Sequence, residues 1–146
     1  MIKIPTRILI VDDEKDFVDM FSLRLSQQGE RVSTALSGPE ALALLEQKEI
    51  DVVILDIRMP EMDGIEVLKR IKASHPLVEV IMLTGHGSAQ TAVDGMKLGA
   101  FDYLMKPADP EQLNAKLEEA RTRKEAQEDR IRQAEARLLL RRSGDI

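Results

Sequence analysis

Five short apolar runs alternate along the chain with longer stretches of mixed polarity. The runs occupy residues 7–11, 31–35, 51–56, 78–83 and 101–105. Three of them are nearly continuous aliphatic stretches. A strand covered on both faces has no solvent side and therefore no alternation, so this pattern predicts buried strands of a parallel sheet. The second run is the most polar and is expected at a sheet edge.

The stretches between the runs carry helical spacing. Phe17, Met20, Phe21, Leu23 and Leu25 crowd the first, with Gly29 as its left-handed stop. Ser37-Gly38-Pro39-Glu40 opens the second, whose apolar face is Ala41, Leu42, Leu44 and Leu45. Ile65, Val67, Leu68 and Ile71 mark the third, which ends before Pro76. Ala89, Ala92, Val93 and Met96 mark the fourth, closed by Gly99, and Asp109-Pro110 starts the fifth. A strand–helix unit repeated five times predicts an α/β fold, an open parallel sheet with right-handed crossovers and helices on both faces.

The fifth helix meets no stop before Ser143-Gly144. Leu117, Ala120, Lys124, Gln127, Ile131, Ala134 and Leu138 alternate spacings of three and four, a heptad seam diluted by two polar residues and two alanines. Two expectations stand side by side. The helix either docks as far as about Ala120 and then frays, or extends to bind a partner or a second copy. Residues 1–120 are accordingly read as the domain and 121–146 as a helical extension or linker.

Composition narrows the class. With 146 residues the chain can bury one substantial core. Aromatics are only 3%, so that core must be aliphatic, and the absence of cysteine excludes disulfides, zinc–thiolate sites and thiol catalysis. No apolar run is long enough to span a bilayer and no signal peptide is visible, which predicts a cytoplasmic protein without membrane contact. The net charge of −5 divides unevenly, with −8 on residues 1–120 and +3 on residues 121–146. An acidic body predicts no direct nucleic-acid binding, and the basic tail reads first as a solvated helical face, with a nucleic-acid or acidic partner as the weaker alternative.

In a sheet of this kind ligands bind outside the carboxyl ends of the strands. The first strand ends in Asp12-Asp13-Glu14, the third in Asp56, the fourth in Thr84 and the fifth in Lys106. Taken singly, such an Asp is a helix cap, such a Thr a turn residue and such a Lys a surface charge. Together they put three carboxylates, a hydroxyl and an ammonium on one rim. Clustered carboxylates repel unless a cation sits among them, and oxygen donors without His or Cys point to Mg2+. Such a site suits phosphoryl transfer to a carboxylate, with the cation and the ammonium neutralising the phosphoryl oxygens.

At these same residues the sequence resembles the receiver domains of bacterial two-component response regulators. The matching stretches are residues 8–14, residues 51–64 from Asp51 through Asp56 and Met59-Pro60 to Asp63-Gly64, residues 81–87 with Thr84-Gly85-His86-Gly87, and residues 99–107 with Tyr103 and Lys106-Pro107. The wording is nearest to receivers of nitrogen-regulation-type activators that work with an alternative sigma factor. The resemblance implies a flavodoxin-like strand order 2-1-3-4-5. It implies Asp56 as phospho-acceptor and Mg2+ held by Asp13, Asp56, Asp12 (directly or through water) and the Arg58 carbonyl. Lys106 would pair with the phosphoryl group or an acceptor oxygen, Thr84 would move toward it, and Tyr103 would be the rotating switch.

Pro60 and Gly64 would shape the loop beside Asp56, Lys106-Pro107 would be cis, and Arg58 and His86 would govern access of water. A sensor histidine kinase or phosphotransfer protein is the implied donor. A homodimer through the fourth helix, fifth strand and fifth helix, or through the C-terminal helix, is the implied assembly. The chain would catalyse its own phosphorylation and dephosphorylation without being a conventional enzyme. A magnesium-dependent phosphatase would need a second carboxylate two residues after the nucleophile, where Arg58 stands. Two rival expectations are a receiver fragment of a longer transcriptional activator, and a partner-binding or dimerisation module working mainly through its long C-terminal helix.

Overall fold

The computed structural model describes residues 4–59, 63–85 and 89–143. Five parallel strands, β1 (Arg7–Val11), β2 (Arg31–Ala35), β3 (Val52–Asp56), β4 (Glu79–Thr84) and β5 (Asp102–Met105), form one sheet in the order β2-β1-β3-β4-β5. Five helices follow them: α1 (Lys15–Gln27), α2 (Gly38–Gln47), α3 (Gly64–Ser74), α4 (Ala89–Lys97) and α5 (Pro110–Ser143). The polar run 31–35 is at an edge, as its composition predicts. The aliphatic strands β1, β3 and β4 fill the middle.

Alternate residues of the central strands feed two cores. Leu9, Val11, Val53, Leu55, Val80 and Met82 face α2 and α3, and pack on Ala41, Leu45, Val67, Leu68 and Ile71. Ile8, Ile10, Val52, Ile54, Ile81 and Leu83 face α1 and α5, and pack on Val18, Phe21, Leu25, Leu113, Leu117 and Ala120. Full burial of each such aliphatic side chain is worth roughly 1.5–3 kcal/mol. The two cores thus hold the rim-bearing strands between rigid helical layers.

Local signals set the helix ends. Ser37 Oγ accepts the Glu40 N–H at 3.2 Å and Asp63 Oδ1 accepts the Ile65 N–H at 3.1 Å. Asp109 does the same for Glu111 at 3.1 Å ahead of Pro110. Gly29 and Gly99 follow α1 and α4 with φ of 90° and 105°, a region costly for any residue with a Cβ.

Four large apolar residues depart from the expected faces. Met20 and Leu23 on α1, and Val93 and Met96 on α4, are exposed, whereas Val18, Ala92 and Gly95 are buried. Helical phase decides this, because a second apolar residue beside the buried stripe lies too far round the helix to reach the core.

α5 is one unbroken helix that stays on the body beyond Ala120. Leu113, Leu117, Ala120 and Lys124 are all buried, so the first three seam positions are spent on the helix's own domain. Residues 129–142 are exposed throughout.

The end of the sheet opposite the rim is closed by charges. Arg7 donates its backbone N–H and its guanidinium to Asp51, and Lys124 Nζ lies 3.0 Å from Asp51 Oδ1. Burial pushes the Asp51 carboxyl up, but the bonds from Arg7 and Lys124 outweigh it and leave the group at about 2. The carboxyl is therefore lower in the folded than in the unfolded chain, and its stabilisation is complete above its usual value of 3.8 and lost as pH falls toward 2. The expected loss is about 2 kcal/mol. Urea unfolding between pH 5 and 2.5 should show a shallower acid limb in Asp51→Asn than in the parent, and parallel limbs would contradict this account.

Candidate functional site

The rim is assembled by strand register. β1 pairs β3 with Val11 opposite Leu55, β3 pairs β4 with Asp56 opposite Leu83, and β4 pairs β5 with Thr84 opposite Met105. The next residue of each outer partner therefore arrives at the same level. Asp12 follows β1, Asp56 ends β3, Thr84 ends β4 and Lys106 follows β5, tied by its N–H to the Thr84 carbonyl at 2.7 Å.

Asp12, Asp13 and Asp56 each bring a carboxylate oxygen within 4.8 Å of the other two. Asp12 and Asp56 are buried and Asp13 is exposed, so the cluster opens to solvent on one side. Lys106 Nζ lies 2.7 Å from Asp12 Oδ2, 3.0 Å from Glu14 Oε1 and 3.4 Å from Asp56 Oδ2. Asp12 Oδ1 accepts the Glu14 N–H at 2.9 Å in the turn before α1, while Asp56 Oδ1 accepts the Arg58 N–H at 3.2 Å.

The electrostatics follow from this crowding. Burial and then the Asp12 charge raise the Asp56 carboxyl, and Lys106 and the Arg58 N–H only partly offset them, leaving it at about 6. Burial tends to lower Lys106, yet its bonds to Asp12 and Glu14 hold it above its ordinary value and fully protonated at neutral pH. One ammonium does not balance the acidic side chains around it. A hard divalent cation among Asp12, Asp13 and Asp56 fits this donor set, which is all oxygen and open on one side as magnesium requires for water and phosphate ligands.

Thr84 is 3% exposed at the end of β4. Tyr103 is 43% exposed on the outer strand β5, away from the carboxylates. Lys106-Pro107 is cis. Pro60 and His86 lie outside the described residues. Phe17 was not foreseen at the rim, yet its ring centroid is 5.0 Å from Lys106 Nζ and 4.6 Å from the ring of Phe21. Only the phase of α1 relative to Glu14 could have revealed it, since an apolar residue at that spacing reads as core.

A doubly wound parallel sheet with an acidic trio, a hydroxyl and a lysine on its carboxyl rim defines the class of response-regulator receivers. The family model "Response regulator receiver domain" matches residues 8–118, and the chain belongs to that family. It is similar to the alginate biosynthesis transcriptional regulatory protein AlgB of Pseudomonas aeruginosa, 42% identical over 86% of this chain and 29% of that protein. It is also similar to the transcriptional regulatory protein ZraR of Escherichia coli K12, 43% identical over 77% of this chain and 26% of ZraR. The chain thus spans less than a third of the length of these curated relatives. Among solved structures, a receiver domain from Clostridium thermocellum superimposes with a TM-score of 0.80 at 38% identity, over 83% of this chain and 98% of that one. NtrX from Brucella abortus does so with 0.81 at 34%, over 86% of this chain and 29% of that one. Among the described residues no helix is long and apolar enough to cross a membrane.

Proposed function

We propose that this receiver is a phosphorylation switch whose acceptor is Asp56, served by a sensor histidine kinase or a phosphotransfer protein. The observation that carries this reading is the convergence of Asp12, Asp13, Asp56 and Lys106 within ion-pair distance at one rim. An Asp56 oxygen bonds to phosphorus as the donor's phosphorus–nitrogen bond breaks, and the imidazole departs with the bonding pair and takes a proton from water. Asp12, Asp13, Asp56 and the Arg58 carbonyl would hold Mg2+, which when bound neutralises phosphoryl and carboxylate charge. Lys106 moves from its carboxylate partners to the incoming phosphoryl oxygens. Thr84 follows it, and Tyr103 turns inward in response. Because the domain supplies these groups itself, it also catalyses its own dephosphorylation and accepts small donors.

The reading covers residues 1–120 as the switch and 121–146 as the extension, in a cytoplasmic protein without membrane or direct nucleic-acid contact. Homodimerisation through the face of α4, β5 and α5, or through the α5 extension, is the companion expectation, supported by the exposed Val93, Met96, Tyr103 and Met105. A second reading, a receiver segment of a longer transcriptional activator, is favoured by the short span of the curated relatives that the chain covers.

The test is direct. The protein is incubated with a small acyl phosphate in magnesium or in EDTA, the acyl phosphate is trapped by borohydride as homoserine, and the peptides are weighed. Conversion at position 56, dependent on magnesium, is expected. Conversion elsewhere, or conversion indifferent to EDTA, would remove Asp56 or the cation from the mechanism.

A further inference from the structure

The three central strands are each bounded by a polar or charged residue at both ends. Arg7 opens β1 and Asp12 follows it, Asp51 precedes β3 and Asp56 ends it, and Glu79 and Thr84 bound β4. Each pair is five residues apart, about 16 Å of strand. The upper members form the rim. The lower members form a floor, and that floor is bonded to α5.

Two consecutive residues of α5 make those contacts, Lys124 by hydrogen bonds and Arg123 by an ion pair. Lys124, only 6% exposed, places Nζ 3.0 Å from Asp51 Oδ1 and 3.1 Å from Glu128 Oε2. Arg123 places Nε 3.1 Å from Glu79 Oε2 and its guanidinium carbon 5.8 Å from the centroid of the Phe101 ring. Glu79 is 2% exposed inside a strand, and its other oxygen is 3.4 Å from Lys72 Nζ, which also bonds the Pro76 and Val78 carbonyls at 2.9 Å.

Pairs with a buried member, such as Lys124–Asp51 and Arg123–Glu79, whose Arg123 is 53% exposed, add little net stability compared with apolar residues of the same shape, yet breaking one leaves a buried carboxylate short of a partner. They therefore penalise every alternative placement of the helix more than they favour the observed one. Adjacent helical residues point about 100° apart. The ion pair of Arg123 with Glu79 on β4 and the hydrogen bond of Lys124 to Asp51 at the start of β3 thus fix both the axial position of α5 and its rotation. A purely apolar contact, such as that of Leu117 or Ala120, tolerates sliding far better.

We propose that Arg123 and Lys124 form a two-point clamp on the floor of β3 and β4, so that residues 125–143 leave the domain as a rigid lever of fixed direction and rotation. The lever is held by the same two strands that carry Asp56 and Thr84 at their other ends. Anything joined to this helix receives its orientation from the sheet, not from a flexible linker. The clamp stands whether or not Asp56 is the phospho-acceptor.

The chain has no cysteine, so spin labels can be placed cleanly at Ser26→Cys on α1 and Ala136→Cys on the lever, both exposed. Dipolar spectroscopy on this labelled protein should give one narrow distance distribution. Adding Arg123→Gln and Lys124→Met should broaden it severalfold while thermal unfolding stays cooperative. Amide exchange in the unlabelled parent gives a second reading that needs no folded variant. Residues 121–127 should be protected about as well as residues 113–120, and at least roughly tenfold better than residues 133–142. Arg123→Gln alone, at a side chain 53% exposed, should lower that protection without threatening the fold. An unchanged distance distribution in the double variant, or exchange at 121–127 as fast as at 133–142, would overturn the clamp.

Discussion

Asp56→Asn is expected to abolish labelling by a small acyl phosphate, by at least about 100-fold, and at the same time to make the metal-free protein more stable. The two effects share one cause. Asp56 is held at a cost to the fold, buried beside Asp12 with Lys106 as the one ammonium near both among the described residues. Its carboxyl titrates at about 6 in the folded protein against 3.8 ordinarily. A raised carboxyl means that the folded state holds its proton more tightly than the unfolded chain does. Its contribution to stability therefore declines as pH rises from about 4 to 6 and stays at its least favourable value above. An amide removes that charge at nearly the same volume. The gain should be on the order of 2 kcal/mol at pH 7, or roughly 5 °C in the unfolding midpoint, and should vanish near pH 4. Calorimetry in EDTA at the two pH values measures it, and added magnesium should narrow the difference by stabilising the parent alone. Equal labelling of parent and variant would dismiss Asp56 as acceptor. Equal midpoints at pH 7 would dismiss the repulsion.

How much of this was legible beforehand follows from which interactions are local. The aliphatic runs that became β1, β3 and β4 announce themselves because a strand buried on both faces has no polar positions to hide the signal. The rim was legible for a related reason. In a parallel sheet every strand ends on the same side, so reading the residues after each run collects Asp12, Asp56, Thr84 and Lys106 without any knowledge of side-chain geometry. The floor was not legible. Glu79 and Lys124 are charged residues that ordinarily lie outside, and the bond between Lys124 and Asp51 joins positions 73 apart. Glu79 stands inside the aliphatic run 78–83 and Lys124 on the seam of α5, but nothing in the sequence tells which charged partner either one meets. For the same reason the sequence left open how far α5 docks, and the structure commits Leu117, Ala120 and Lys124 to the helix's own domain. Met20, Leu23, Val93 and Met96 show the converse, that an apolar side chain near a buried stripe is not evidence of burial.

Gly64→Ala is expected to cost about 2–4 kcal/mol and to depress magnesium-dependent labelling along with stability. The reason is close approach, not an unusual dihedral. A Cβ at position 64 would stand 2.5 Å from the Ile57 Cα, 2.7 Å from the Ile57 carbonyl oxygen and 2.9 Å from the Asp56 carbonyl oxygen. All three are backbone atoms and none can swing aside. Ile57 is pinned further, by its N–H to the Leu83 carbonyl at 3.1 Å, by the Gly64 N–H on its own carbonyl at 3.0 Å, and by its burial in the core. Relief therefore requires the whole segment 56–58 to shift, which moves the Asp56 carboxylate and the Arg58 N–H that steadies it. Gly95→Ala is the control. Its Cβ would also clash, but with the Sδ and Cε of Met82, the end of an unbranched side chain that can turn away. That substitution should cost less than about 1.5 kcal/mol and leave labelling intact. Urea unfolding with the labelling assay on both variants separates the cases. A Gly64→Ala protein as stable and as readily labelled as Gly95→Ala would mean that the start of α3 can retreat from β3 without disturbing the rim.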